Sequence, residues 1–448
     1  MKIQYGLSSF ERGEGDLPAL PVINMYAEEA QSEADGIVLQ SRNGIAAHTV
    51  VMGAGPVSEM LKKDGVLSGA LFGVSDGELY QEGVSKGVIA GSGVVSITGS
   101  ETGLFATAGK APYFYDGTTL AASAFPDSAN VIKLLEASSR IIALREASGK
   151  FYWTDALGST FDALAFATAE TEPDRLLDAV SLDDMLILFG TETVEFWPNT
   201  GDSTLPFQPL EGRVLEQGIK ATGCAVVYSS TVAFVGNDNV IYDINLNPLS
   251  NSGLEEKIAK STSCKLFTFQ LDGHEMLALR LNGGTWVRSN RTGLWSEFQS
   301  YGQVNWLCAS HAGDYFGSGV DGKIYTFGDD YSDAGGTLER RFRAGFPING
   351  GGVHINNVRL RTNVGQTAFL IGDYLNPIVE MRTSRDAGQV WSNWKQRKLG
   401  KQGQYQKLVE WRAQGQASQP GWLSEFRVTD PVPFRVSGAF VNERYGGR

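Results

Sequence analysis

The sequence holds three cysteines in 448 residues, Cys224, Cys264 and Cys308, an odd number with wide spacing that excludes a disulfide scaffold. Buried free thiols of a reducing compartment are the expectation. The four histidines, His48, His274, His311 and His354, stand far apart, with no His-x-x-x-His and no Cys-x-x-Cys pair. A metal site is therefore not expected, nor is any other cofactor. No apolar run approaches the ~20 residues that a bilayer-crossing helix requires. Met1-Lys2-Ile3-Gln4-Tyr5-Gly6 leads into polar residues without the apolar segment of a signal peptide. A chain made in a cytoplasm, without membrane insertion, is expected.

Positive charge is also short. There are 38 Lys and Arg against 50 Asp and Glu, a net charge of −12. That excludes a surface built to coat nucleic acid, which needs clustered cations to displace counterions from phosphates. It leaves open a channel whose acidic wall lets a polyanion pass without sticking. Helical periodicity is nearly missing; the best candidate runs from Asp174 to Leu186. Two apparent catalytic motifs dissolve on inspection. Gly103 to Lys110 has the wrong glycine spacing for a phosphate loop, and Ala111 stands where Mg²⁺ needs Ser or Thr. Gly73-x-Ser75-x-Gly77 reads as a hairpin turn, not as the strand-to-helix elbow of a hydrolase nucleophile. No catalytic residue is assigned.

What is abundant is glycine, 54 residues, and strand–turn–strand units. The clearest unit runs from Gly313 to Phe327, with Asp321-Gly322 as the turn before alternating Lys323-Ile324-Tyr325-Thr326-Phe327. Asp-Gly between alternating strands is a strong hairpin signal because glycine reaches positive φ without steric cost. The turn glycine, or its equivalent, recurs at positions 77, 117, 149, 191, 237, 283 and 322. A period near 40 residues with a hairpin in each unit is the pattern of a four-stranded-blade β-propeller. The fold class is thus all-β: a propeller of six or seven blades with an N-terminal arm and a C-terminal β-sandwich-like domain. Irregularly spaced hairpins of one or two β-sandwiches are the alternative.

The expected divisions are an arm over residues 1–55, the propeller over 56–330 and a C-terminal domain over 331–448. The arm either lies across another surface or supplies the closing strand of the last blade. The acidic, glycine-rich stretch from Phe327 to Gly336 reads as a solvated linker; Asp329, Asp330 and Asp333 lack the ligand order of a calcium loop. Beyond it the chain turns basic, which reads first as a protein-contact surface and second as a phosphate-contact surface. Ser384, Asp386, Gly388 and Trp391 fit the Asp-box pattern Ser-x-Asp-x-Gly-x-x-Trp of glycan-active propellers. In that pattern the Asp braces a turn through local hydrogen bonds and does no catalysis. A glycan-binding or glycan-hydrolysing, sialidase-like propeller is accordingly the alternative function, although no pair of acids is singled out for it.

Several stretches together resemble the packaged-DNA stabilisation proteins that form the tail nozzle or hub of short-tailed bacteriophages. They are Leu20-Pro21-Val22-Ile23-Asn24-Met25-Tyr26, Leu39-Gln40-Ser41-Arg42-Asn43-Gly44-Ile45, Val88 to Ser96, Phe189 to Trp197, and a C-terminal series. That series comprises Ser384 to Trp391, Leu399 to Tyr405, Trp411-Arg412 and Phe426 to Val432; the spacer Gly415 to Gly421 departs from the pattern. The resemblance implies a virion protein of the tail, assembled in the host cytoplasm, that forms a homo-oligomeric ring, a hexamer. The ring sits below the portal and adaptor, closes the DNA exit channel, receives tail fibres or spikes, and meets a needle or plug. DNA would pass through its lumen without specific binding. Aromatic and arginine side chains anchor interfaces, so Trp391, Trp394, Arg397, Tyr405 and Trp411 are the candidate contacts. Core packing is the competing reading for each tryptophan.

Overall fold

A computed structural model describes residues 1–6, 8–9, 20–30, 36–169 and 174–442. Seven antiparallel sheets follow one another along the chain, and the first strand of each packs beside the first strand of the next. The seventh sheet returns to the first, closing a seven-bladed propeller. Blade one is Val57–Leu61, Phe72–Ser75, Glu78–Gln81 and Val84–Val88, each strand paired with the next. Blade five keeps three strands, Ala225–Tyr228, Thr231–Val235 and Ile241–Asp243, and the α-helix Ser252–Lys260 follows them. Asn251 starts that helix by accepting the Leu254 N–H at 3.0 Å.

The helix expected over Asp174 to Leu186 is instead a hairpin of blade four, Leu176–Leu182 and Met185–Gly190. Asp183 and Asp184 turn it with positive φ, 48° and 58°. Leu186 and Leu188 pack toward blade three while Ile187 and Phe189 pack toward blade five. A strand buried on both faces reads as a continuous apolar run and loses the alternation that would mark it. The uneven repeat spacing also has a local cause. Gly77 and positions 149, 191, 237, 283 and 322 fall between second and third strands, whereas Gly117 joins the third and fourth strands of blade two.

Blade seven contributes Cys308–Ala312, Tyr315–Ser318 and Lys323–Phe327 from late in the chain. Its outer strand is Ile45–Val51, antiparallel to Lys323–Phe327 with Ile45 opposite Phe327 and Ala46 opposite Thr326. Ile45 enters an aromatic cluster of Phe269, Phe298, Trp306 and Phe316 between blades six and seven. The described strands that precede it go elsewhere. Lys2–Tyr5 pairs with both Arg340–Pro347 and Arg435–Val441, and Ile37–Ser41 also pairs with Arg435–Val441. These N-terminal strands therefore complete a β-sandwich whose other strands come from residues 340–441. Val22–Ile23 runs antiparallel to Arg340–Pro347 and parallel to Trp295–Phe298 of blade six. One sheet thus passes from propeller into sandwich.

The junction is held by a buried node. The Arg42 side chain is fully buried and all five of its N–H groups are used. Nη1 and Nη2 bond the two Asp333 carboxylate oxygens at 2.9 and 2.6 Å, Nε bonds Asn24 Oδ1 at 2.9 Å, and the other two reach the Asn43 and Gln299 carbonyls. The guanidinium also stacks on Phe298 and Trp306. Asn24, at φ 54°, donates in turn to the Gln299 and Glu339 carbonyls. Asp333, expected in a solvated linker, is buried here because it answers this charge. Gly44 is required beside it: a Cβ would lie 1.9 Å from the Ser332 carbonyl oxygen.

Candidate functional site

The inner strands of the blades surround a cavity of about 660 Å³. Its wall includes the carboxylate of Glu59, which is tied to Lys265 at 2.7 Å, and the amine of Lys133, bonded to Asp178 at 2.8 Å. Asp178, fully buried, also accepts the Ala179 and Gly223 N–H groups, so it stitches blades three, four and five together. The Ser75 hydroxyl donates to the Gly55 carbonyl at 2.8 Å and braces a turn. These groups are committed to structure. Among the described residues no cluster of metal-ligating side chains occurs. Cys224 and Cys308 are buried and Cys264 half-buried, all as free thiols.

His311 also lines this cavity, against Phe269 and Phe316. Burial pushes its pKa down to about 4, against the opposing pull of backbone hydrogen bonds and Asp314. The unfolded chain takes up that proton near pH 6.5, whereas the folded chain resists until about 4. The contribution is complete above 6.5 and is lost as the pH falls through the window. Wild-type stability is expected to drop by about 1–3 kcal/mol more than that of His311→Gln between these limits. Urea unfolding of both across the window checks it.

The sandwich presents the more distinctive surface. Ser384, Asp386, Gly388 and Trp391 form one tight turn after the strand Ile378–Ser384. The Ser384 hydroxyl donates to Asp386 at 2.6 Å and accepts the Gly388 N–H at 2.7 Å, while Asp386 accepts the Val390 N–H at 3.0 Å. The Ser384 hydroxyl and that N–H hold the Asp386 carboxyl below its usual range. Trp391 emerges half-buried and stacks under the guanidinium groups of Arg343 and Arg382, at 5.0 and 4.8 Å. Trp394 lies between Arg382 and Arg427, at 4.7 and 4.1 Å. Beneath them Glu425, fully buried, binds Arg343 at 2.8 Å and also Arg382, and Glu380 binds Arg427 at 2.6 Å. Three adjacent strands thus lay down alternating charges under two tryptophans, a rigid cation–π surface.

The other candidates separate. Trp411 is fully buried between the sheets, its Nε1–H donating to the Lys395 carbonyl, so it is a core residue and not a contact. It sits on the inward face of Val409–Ala417, against Phe426. Arg397 is exposed, with Nε–H on the Glu410 carbonyl, and Tyr405 is 61% exposed. Both line a basic groove made of two adjoining clefts, of about 710 and 530 Å³, that share Lys407 and Leu408. Arg397, Lys398 and Arg412 line one cleft, Arg359 and Arg361 the other. Arg343 and Arg382 were legible only as members of the basic tail, and Glu380, Glu425 and Arg427 escaped sequence reading, although their signal was there. Arg341/Arg343, Glu380/Arg382 and Glu425/Arg427 each recur at a spacing of two, the strand period.

A seven-bladed propeller fused through a shared sheet to a sandwich with an arginine–tryptophan face defines a β-propeller–β-sandwich protein. Two family descriptions match it: bacteriophage P22 Gp10, beta-propeller, over residues 3–306, and bacteriophage P22 Gp10, beta-sandwich, over residues 341–444. The chain belongs to the bacteriophage P22 Gp10 family. It is similar to the tail hub protein gp10 of Salmonella phage P22, 25% identical over 242 residues, 47% of this chain and 51% of that protein. The chain thus spans about half the length of this curated relative. Solved structures with a similar course include the Cps50 (Swd1) β-propeller domain of Myceliophteria thermophila, at 10% identity. The match covers 62% of this chain and 98% of that one, with a TM-score of 0.41. YCF48 from Cyanidioschyzon merolae, at 12% identity, matches over 63% of this chain and 98% of that one with a TM-score of 0.40. Neither bears on function.

Proposed function

We propose that the chain is a structural subunit of a bacteriophage tail hub, in a virion, without a catalytic role. The observation that carries this reading is the match of both halves to one family whose curated relative is a tail hub protein. The geometry agrees with a load-bearing part: the propeller is locked by Ile45–Val51, and the sandwich is tied to it through Arg42 and Asp333. Copies of the chain form a ring, six as the working stoichiometry, below the portal and adaptor. The ring closes the DNA exit channel and stabilises packaged DNA. Fibres or spikes and a needle dock on it. A net charge of −12 suits a lumen through which DNA slides without binding. The Asp-box turn and the Trp394, Arg397 and Tyr405 surface serve contact with these partners or with neighbouring copies of the chain.

Native mass spectrometry with negative-stain class averages tests the proposal. Closed rings, alone or on adding the adaptor, are the expected result. A strict monomer that ignores the portal–adaptor complex, and that cleaves or binds glycans, overturns it.

A further inference from the structure

Charge is divided sharply along the chain. Residues 331–442 hold 15 Lys and Arg against 8 Asp and Glu, whereas residues 1–330 hold 21 against 41. The basic groove of the sandwich concentrates the first excess. The carboxylate in its wall, Glu410, is already bound to Arg412 at 2.9 Å. Apolar surface lies among the cations: Leu408 is 44% exposed beside the outward ring of Tyr405.

A complementary surface exists on the same chain. In an antiparallel blade, the first-to-second and third-to-fourth turns share one face. On blades three and four these turns are knitted together. Leu157 N–H bonds the Ser139 carbonyl at 2.8 Å, Ser138 Oγ bonds Asp184 at 3.2 Å, and Asn199 N–H bonds the Asp184 carbonyl at 2.9 Å. Arg140 reaches from blade three to the Ser203 carbonyl at 3.1 Å and is itself buried, its charge spent on carbonyl oxygens. The resulting rim exposes Asp155, Asp183, Asp184, Asp202 and Glu211, with Leu157 and Leu205 exposed between them. Arg213, two residues on from Glu211, is drawn onto the Phe196 ring at 4.1 Å.

We propose that the basic groove of one subunit's sandwich docks on the acidic, leucine-bearing rim of blades three and four of a second copy of this chain. The proposal rests on the ring reading above and names its interface. The two patches differ, so the contact is heterologous and propagates from copy to copy until the rotation closes a ring. Opposite charges steer and register the pair, and the leucines and Tyr405 supply apolar contact. A phosphate backbone would answer the cations alone; it has no use for Leu408 facing a partner's Leu157 and Leu205.

The test uses the full chain in sedimentation velocity and native mass spectrometry at about 0.05 M and about 0.5 M salt. Four proteins are compared: wild type, Lys398→Glu/Lys407→Glu, Asp155→Lys/Glu211→Lys, and all four changes combined. Unchanged unfolding midpoints establish that each variant folds. Either charge-reversed pair is expected to weaken self-association by about 10- to 100-fold at the lower salt, and the combined variant to recover to within about threefold. Rings that form in the wild type but ignore the groove or rim changes overturn this interface and leave the ring reading standing. A wild type that remains monomeric at both salts, with or without adaptor, overturns the ring reading and this interface with it. Groove variants that lose a 20-base-pair duplex yet associate normally assign the groove to phosphate, which also overturns the proposal.

Discussion

Asp333→Ala is expected to destabilise the protein by about 3–5 kcal/mol, the range for removing one partner of a buried ion pair. The physical reason is the survivor. Arg42 would remain in a site with no exposure, its two Asp333 bonds at 2.9 and 2.6 Å lost. Water cannot compensate, because Phe298 and Trp306 cover the guanidinium. Chemical denaturation measures the loss. The paired change Arg42→Met/Asp333→Leu is expected to cost less than Asp333→Ala, since it removes both charges and leaves neither uncompensated. A single variant within 1 kcal/mol of wild type would show that the junction relaxes enough to hydrate the arginine.

Ala46→Pro is expected to cost about 3 kcal/mol or more. Ala46 is exposed, so its side chain contributes little, and the effect isolates the backbone of the closing strand. Its ladder partner is Thr326, and the flanking Gly328 N–H to Gly44 carbonyl bond at 2.9 Å puts Ala46 in the same hydrogen-bonded phase. Proline there removes a donor from the strand that closes the ring. A propeller cannot compensate locally, because each blade is buried against its neighbours. Thermal unfolding should show a lower midpoint and a broader transition, whereas the control Ala46→Ser should unfold as wild type does. A proline variant with an unchanged midpoint would mean that blade seven stands without its outer strand.

The propeller was legible because its hairpins carry their own punctuation. Asp76-Gly77 turns with positive φ at both residues, a local demand, whereas Gly322 is needed because a Cβ there would lie 2.1 Å from the Gly53 carbonyl oxygen. The blade-four hairpin was not legible as such, since Leu186 to Phe189 is packed on both faces and the leucines of the two strands imitate a helix. The Asp-box turn was readable because all its bonds fall within seven residues, from Ser384 to Val390. Trp411 could not be placed from sequence. Whether a tryptophan on a strand faces core or solvent depends on which side the second sheet covers, a fact held by Phe426 and Trp422. Arg42 and Asp333, 291 residues apart, are each unremarkable alone. Their pairing is a property of the closed fold. It also gives a physical reason for the stretch Leu39 to Ile45, in which Arg42 takes the ion pair and Gly44 admits the Ser332 backbone.

The pairing of Ile45–Val51 with Lys323–Phe327, and of Lys2–Tyr5 with Arg435–Val441, has a consequence for biosynthesis. A ribosome releases the early strands long before their partners exist. Contacts of such separation are slow to form and leave edges exposed meanwhile. Blades one to six can stack as they emerge, but the ring stays open until residue 327 is out, and the sandwich stays unfinished until residue 441 follows. A chain terminated before residue 327 therefore carries an open propeller, and any chain terminated before residue 441 an incomplete sandwich. Either product is marked by its own unpaired strand edges, without any dedicated factor to inspect it.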